Sequence, residues 1–301
     1  MKKTNILITF LYIIISAIPA FFGLTAISLA LCAAALTFCF MRGGARLWGI
    51  NAAFSELIFF FVLKGNSESF AFVSAVTLLL SLSFGVSLNK KLPFRMLLCI
   101  ATVLCTAIFA GTLFYYMKTY STSAYKLLFG TPMDALRAAA GPNLDILGPY
   151  LDALAAQLDL MLPSILIICS MLFSYAVFGI ARTVGERSGI FFDTLPHYYS
   201  LHADMYFSLI FSLLIVFSLF DSGSGIVLNA IAVISAVLAA CGTSAFNRFL
   251  RMRGVKKAVR IIIYTVLLLG FLTGFAGTFI YFAFLSIGVF DSFTMQRILK
   301  K

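Results

Sequence analysis

Runs of roughly 17 to 25 apolar residues recur along this sequence from one end to the other, and each is long enough for a helix to cross a hydrocarbon core about 30 Å thick. A helix satisfies its own backbone N–H and C=O groups, which is what lipid demands of any segment that crosses it. Composition leaves no other solvent. Of 301 residues, 62% are apolar and only 11% charged, with a mean hydropathy of +1.05. No soluble globule of this size has enough interior to hide so much apolar surface. The expected fold is therefore an all-α, polytopic transmembrane helical bundle.

The periodicity predicts spans near residues 5–19, 21–41, 46–63, 69–88, 96–117, 161–181, 204–221, 225–246 and 261–286. A tight turn from Pro19 to Gly23 joins the first two. The opening "MKKTNILITFLYIIISAIPA" has the basic and apolar parts of a signal peptide, but a second apolar run follows, so an uncleaved first span is expected. The six cysteines lie inside apolar runs without C-x-x-C spacing and read as small core residues.

The net charge of +11 is topological. With a cytoplasmic N-terminus, the inner segments hold Lys2, Lys3, Arg42, Arg46, Lys90, Lys91, Arg95, Arg182, Arg187 and the six charges of "NRFLRMRGVKKAVR"; the outer ones hold Lys64, Lys118, Lys126 and Arg137. The positive-inside rule then fixes the orientation, and the basic balance points to the lipid bilayer and not to nucleic acid. Nine spans would leave Arg297, Lys300 and Lys301 outside, against that rule. The last apolar run, 261–290, is interrupted by "GFLTGFAG", so two short helices meeting at Gly270, Gly274 and Gly277 would bring the tail back inside. Nine and ten spans both stand.

The expected organisation is an N-terminal five-helix bundle over 1–117, an extracytoplasmic segment over 118–160 and a C-terminal bundle over 161–301. In "PYLDALAAQLDLMLP", Leu151, Leu154, Leu158 and Leu162 form one stripe with Asp152 and Asp159 off it, which predicts an interfacial helix near Pro149 to Leu162. A connector lying on the outer leaflet is the expectation there.

Signatures of nucleotide hydrolysis, zinc proteolysis and serine-elbow chemistry are missing, so the chain reads as a non-enzyme without cofactor, and any energy comes from a partner or an ion gradient. Both histidines fall in "FDTLPHYYSLHADMYFSLIF", close to Asp193 and Asp204. Pro196 discourages a continuous helix through Asp193, His197 and His202, so the stretch reads as an interfacial elbow without a metal, its tyrosines at headgroup depth. Glu56 is the sharper candidate. Ten residues beyond Arg46 it is roughly 15 Å deep, where an ionised carboxylate costs at least about 2.5 kcal/mol. It should face the bundle interior, with Asn51 and Ser55 nearby on the same helix. A ligand or proton contact and a buried, hydrogen-bonded acid are both open readings. Ala26, Ala30 and Ala34, and Gly270 with Gly274, suggest close helix packing within the chain.

Several short elements carry a resemblance: Phe192, Leu195 and Pro196 before a span, the 229–242 span, Arg253 and Gly254 in "LRMRG", and Gly288, Asp291 and Arg297 in the terminal "GVFDSFTMQR". Together they resemble the YybS-like family of bacterial multi-pass membrane proteins, although Thr294 and Met295 depart from its pattern. The N-terminal half, with Pro19, "RGGAR", Asn51 and Glu56, looks like a distant relative of the substrate-binding components of energy-coupling-factor vitamin transporters. That resemblance implies a component that binds a vitamin-like ligand from outside and works with separate energising membrane and ATPase subunits. In that family the small-residue ladder belongs on the first helix, whereas Ala26, Ala30 and Ala34 fall on the second. The expected function is thus a transporter component of the bacterial cytoplasmic membrane, with a non-transporting scaffold or regulator of the cell envelope as the alternative.

Overall fold

A computed structural model of the chain describes residues 3–21, 24–63, 67–141, 144–189, 201–220, 224–271, 273 and 275–299. Among these, the regular structure is entirely helical: α1 (Lys3–Phe21), α2 (Thr25–Val62), α3 (Ser67–Asn89), α4 (Phe94–Tyr120), α5 (Ala124–Ala140), α6 (Leu144–Leu160), α7 (Leu162–Arg187), α8 (Met205–Phe220), α9 (Gly225–Met252), α10 (Lys257–Phe271) and α11 (Phe275–Leu299). Among the described residues six helices are long and apolar enough to cross a membrane, in α2, α3, α4, α7, α9 and α11; Thr9–Ala20 and Met205–Phe220 are apolar but shorter. Six is fewer than the nine or ten expected, and α2 accounts for part of the difference.

At 38 residues, α2 would be about 57 Å long if straight, nearly twice the hydrocarbon thickness. It is not straight. Gly43 and Gly44 leave helical geometry, Gly44 with φ 65° and ψ −164°, a conformation that only glycine adopts at little cost. The ring of Phe10 in α1 meets Phe54 with centroids 4.6 Å apart, while its neighbour Thr9 bonds Cys39. On a straight helix residues 39 and 54 would be about 22 Å apart, so the glycine pair turns the chain back. This break lies in the gap the sequence leaves between its second and third spans.

The chain forms two compact units, Met1–Leu195 and Pro196–Lys301. The expected boundary at 160/161 differs because α7 belongs to the first unit. Phe178 stacks on Phe84 of α3 with centroids 4.0 Å apart, and Tyr175 and Phe173 meet Phe94 and Phe109 of α4. Lipid offers apolar side chains as good a home as a protein interior, so close packing and hydrogen bonds hold such helices together. The first half of α2 supplies the small residues for that packing: Ala30, Cys32, Ala33, Ala34 and Ala35 are buried against α1 and its neighbours. Of the expected alanine ladder, Ala30 and Ala34 are buried and Ala26 is exposed.

The segment between α4 and α7 is more helical than expected. Ser123 caps α5 by accepting from Lys126 N–H, and Arg137 pairs with Asp152 of α6 at 2.6 Å. Pro149 lies inside α6 and does not begin it.

In the second unit, α9 and α11 run parallel. Ser235 accepts from Tyr281 Oη at 2.6 Å near one end, and Arg248 holds both carboxylate oxygens of Asp291 at 2.6 Å near the other. Between these bonds Gly242 and Gly288 bring the two backbones into contact: a Cβ on Gly242 would lie 1.8 Å from Phe284 O, and one on Gly288 1.9 Å from Leu238 O. The intervening α10 runs back along α9, with Arg260 on Asn247 and Tyr264 on the Thr243 carbonyl. The break between α10 and α11 falls within "GFLTGFAG", where the ten-span alternative puts it.

Candidate functional site

Glu56 lies on the second half of α2 and is turned toward α3, where Ser74 Oγ donates to its Oε2. Two turns earlier Trp48 Nε1 donates to Ser81 Oγ at 2.9 Å. Positions 48, 52 and 56 therefore face 81, 77 and 74, the i, i+4 stripe of one helix against the i, i+3, i+7 stripe of an antiparallel neighbour. Hydroxyls at Ser74, Thr77 and Ser81 make this seam polar inside an apolar unit. Thr77 and Ser81 are fully buried, and both also donate to carbonyls of their own helix.

Asn51 and Ser55 sit on a neighbouring face of the same helix, both fully buried. Asn51 Nδ2 donates to the Leu47 carbonyl at 2.9 Å, and Ser55 Oγ donates to Ala52 O at 2.8 Å. The Thr77 hydroxyl as well as Ser74 reaches the Glu56 carboxyl group, whereas Asn51 Oδ1 is a buried acceptor without a hydrogen-bond partner. Buried acceptors in that condition are uncommon and call for an explanation. The three candidate residues thus share one helix half but not one face, and Glu56 alone reaches the hydroxyl seam.

A groove of about 450 Å³ opens on the opposite side of α3, lined by Glu68, Ala71, Phe72 and Ala75 of α3 and by Gly111, Thr112, Tyr115 and Tyr116 of α4. Positions 68, 71, 72 and 75 form one stripe of α3, well around the helix from Ser74 and Thr77, so Glu56 takes no part in it. Glu68 is in the first turn of α3, where a carboxylate meets the positive end of the helix dipole, and Tyr115 Oη donates to its Oε1 at 3.2 Å. Glu68 stands at the polar start of a helix, where a carboxylate is ordinary and carries no signal in the sequence. Its partner is 47 residues away, and no local spacing announces the pair.

Of the histidine stretch, Asp193, Pro196 and His197 lie outside the described residues. Residues 201–204 form an irregular lead into α8, with the Asp204 carbonyl accepting from Phe207 N–H and Arg248 Nη1 donating to the Leu201 carbonyl at 2.8 Å. Among the described residues no group of three or more His, Cys, Asp or Glu side chains is placed to hold a metal ion.

Comparison of the sequence with models of known families and with characterised proteins, and of the fold with solved structures, yields no match.

Proposed function

We propose that this chain is a transporter component of the bacterial cytoplasmic membrane, akin to the YybS-like proteins, whose N-terminal unit binds a small vitamin-like ligand. The observation that carries this reading is the groove between α3 and α4. At about 450 Å³ it falls within the roughly 300–1,000 Å³ of small-molecule sites, and its lining of rings with one carboxylate has their usual chemistry. Glu56 serves as an interior proton or hydrogen-bond contact, with Asn51 and Ser55 behind it, on the far side of the helix that forms the groove wall. Separate membrane and ATPase subunits supply the energy.

Ten spans fit this reading better than nine. The glycine turn divides α2 into two crossings, α10 and α11 are separate, and α1 and α8 cross as short helices. The parallel run of α9 and α11 supports this count, because it puts the C-terminal end of α11 at the same end of the second unit as Arg248 and Arg251. The N-terminus, the 248–260 loop and the tail are then cytoplasmic, and the α4–α7 segment and the groove mouth face outward.

The test is retention and uptake. Protein in lipid nanodiscs is exposed to a pool of water-soluble vitamins, washed, and its bound compounds identified by mass spectrometry, alongside uptake of the same pool by expressing cells. One compound retained and accumulated, and lost with Gly111→Leu, is the expected result. Nothing retained and no change in uptake would turn the assignment to a scaffold or regulator.

A further inference from the structure

We infer that the groove between α3 and α4 is a site for a substituted ammonium group, seated on the Glu68 carboxylate and walled by the rings of Phe72, Tyr115 and Tyr116. Charge sets the sign. Glu68 is the one carboxylate among the described lining residues, and no lysine or arginine is among them, so the formal charge of the lining favours a cation over an anion. The carboxylate is held in place by Tyr115 Oη and by its position in the first turn of α3.

Size and lining exclude a bare metal ion. The space is far larger than a hydrated cation requires, and hard cations need several oxygen ligands where this groove offers one carboxylate. Rings, by contrast, suit alkylated nitrogen. Tyr115 and Tyr116 lie with centroids 5.7 Å apart, and Tyr116 stacks on Tyr120 at 5.9 Å, so the wall beside the carboxylate is a run of tyrosines whose quadrupoles attract a diffuse cation. A primary alkylamine, a quaternary ammonium and a lipid headgroup share this chemistry. The inference rests on the groove being the ligand site of the proposed function, but it concerns binding alone and stands or falls apart from transport.

The test uses choline as probe, with dimethylbutanol, its uncharged carbon isostere, as control, measured by saturation-transfer NMR on the full chain in phosphatidylglycerol nanodiscs. Choline should bind and dimethylbutanol should not. Glu68→Gln should weaken choline by roughly tenfold or more, since a charge-assisted contact is lost, whereas Glu68→Asp, which keeps the charge, should weaken it only a few-fold. Gly111→Leu should abolish binding by filling the groove, and Gly111→Ala, whose added Cβ meets nothing within 4 Å, is the control for the helix itself. Repetition in phosphatidylcholine discs identifies the source: a loss of choline signal marks a headgroup as the occupant, and an unchanged signal marks a soluble ligand. Equal binding of choline and dimethylbutanol, or choline binding that survives both Glu68→Gln and Gly111→Leu, overturns the inference. Choline binding without vitamin uptake would leave the site standing and remove the transport role.

Discussion

Substituting Gly242 by alanine should destabilise the second unit out of proportion to the single methyl added. The new Cβ would lie 1.8 Å from Phe284 O and near Gly288 N, where ordinary contact begins at 3.4 Å. Neither neighbour is a side chain that can swing aside, so α9 and α11 must part by about 1.5 Å. Overpacking of a tight interface costs about 1–3 kcal/mol, and a backbone obstacle puts this position at the top of that range. Alanine recovers about 1 kcal/mol of helix propensity over glycine, which leaves a net loss of about 2 kcal/mol. The parting also disturbs the Arg248–Asp291 pair, six and three residues along from the crossing glycines. Unfolding of the purified protein by SDS titration, followed by far-UV circular dichroism, measures the loss. Gly288→Ala should behave alike, and the double variant should fall short of the sum, because the first methyl has already separated the helices. A Gly242→Ala protein as stable as the parent would refute the backbone contact.

Asp291→Asn should cost about 2 kcal/mol in the same assay, between the values for exposed and buried pairs, since both side chains are mostly shielded. Arg248→Lys should not substitute for the arginine, whose fork holds two carboxylate oxygens and the Leu201 carbonyl together. Glu56→Gln should preserve the fold, because the amide oxygen can still accept from Ser74, while reducing vitamin uptake; full uptake by the variant would refute its role as an interior proton or hydrogen-bond contact. A cysteine at Ser123, exposed at the start of α5, should react with a membrane-impermeant maleimide on intact cells, and labelling only after lysis would invert the proposed topology.

Much of the helical layout was legible because lipid imposes a length on every crossing segment. "RGGAR" separates the two halves of α2, and "GFLTGFAG" separates α10 from α11, since glycine clusters interrupt apolar runs in a way no side chain disguises. Helix α5 was not legible. Gly130 and Pro132 lie in its interior and argue against a helix, which is sustained by the Ser123 cap and by packing on α6 through Arg137 and Asp152. The close crossing of Gly242 and Gly288 was equally hidden, because each glycine is unremarkable within its own span and their meeting depends on a parallel arrangement that skips a helix. Glu56 was visible through its depth alone. Glu68 needed the fold, which brings α4 alongside it.

The parallel crossing of α9 and α11 has a consequence for biogenesis. A bundle built of consecutive antiparallel hairpins can close each interface as soon as the next helix is synthesised. Here α9 reaches the bilayer first, and α10 must follow before α11 can cover the bare backbone at Gly242. Arg248 likewise waits for Asp291, which is 43 residues downstream. During that interval the newly inserted helix carries an uncovered small-residue face and an arginine whose carboxylate has yet to be made, so the second unit cannot close until its last helix is in place.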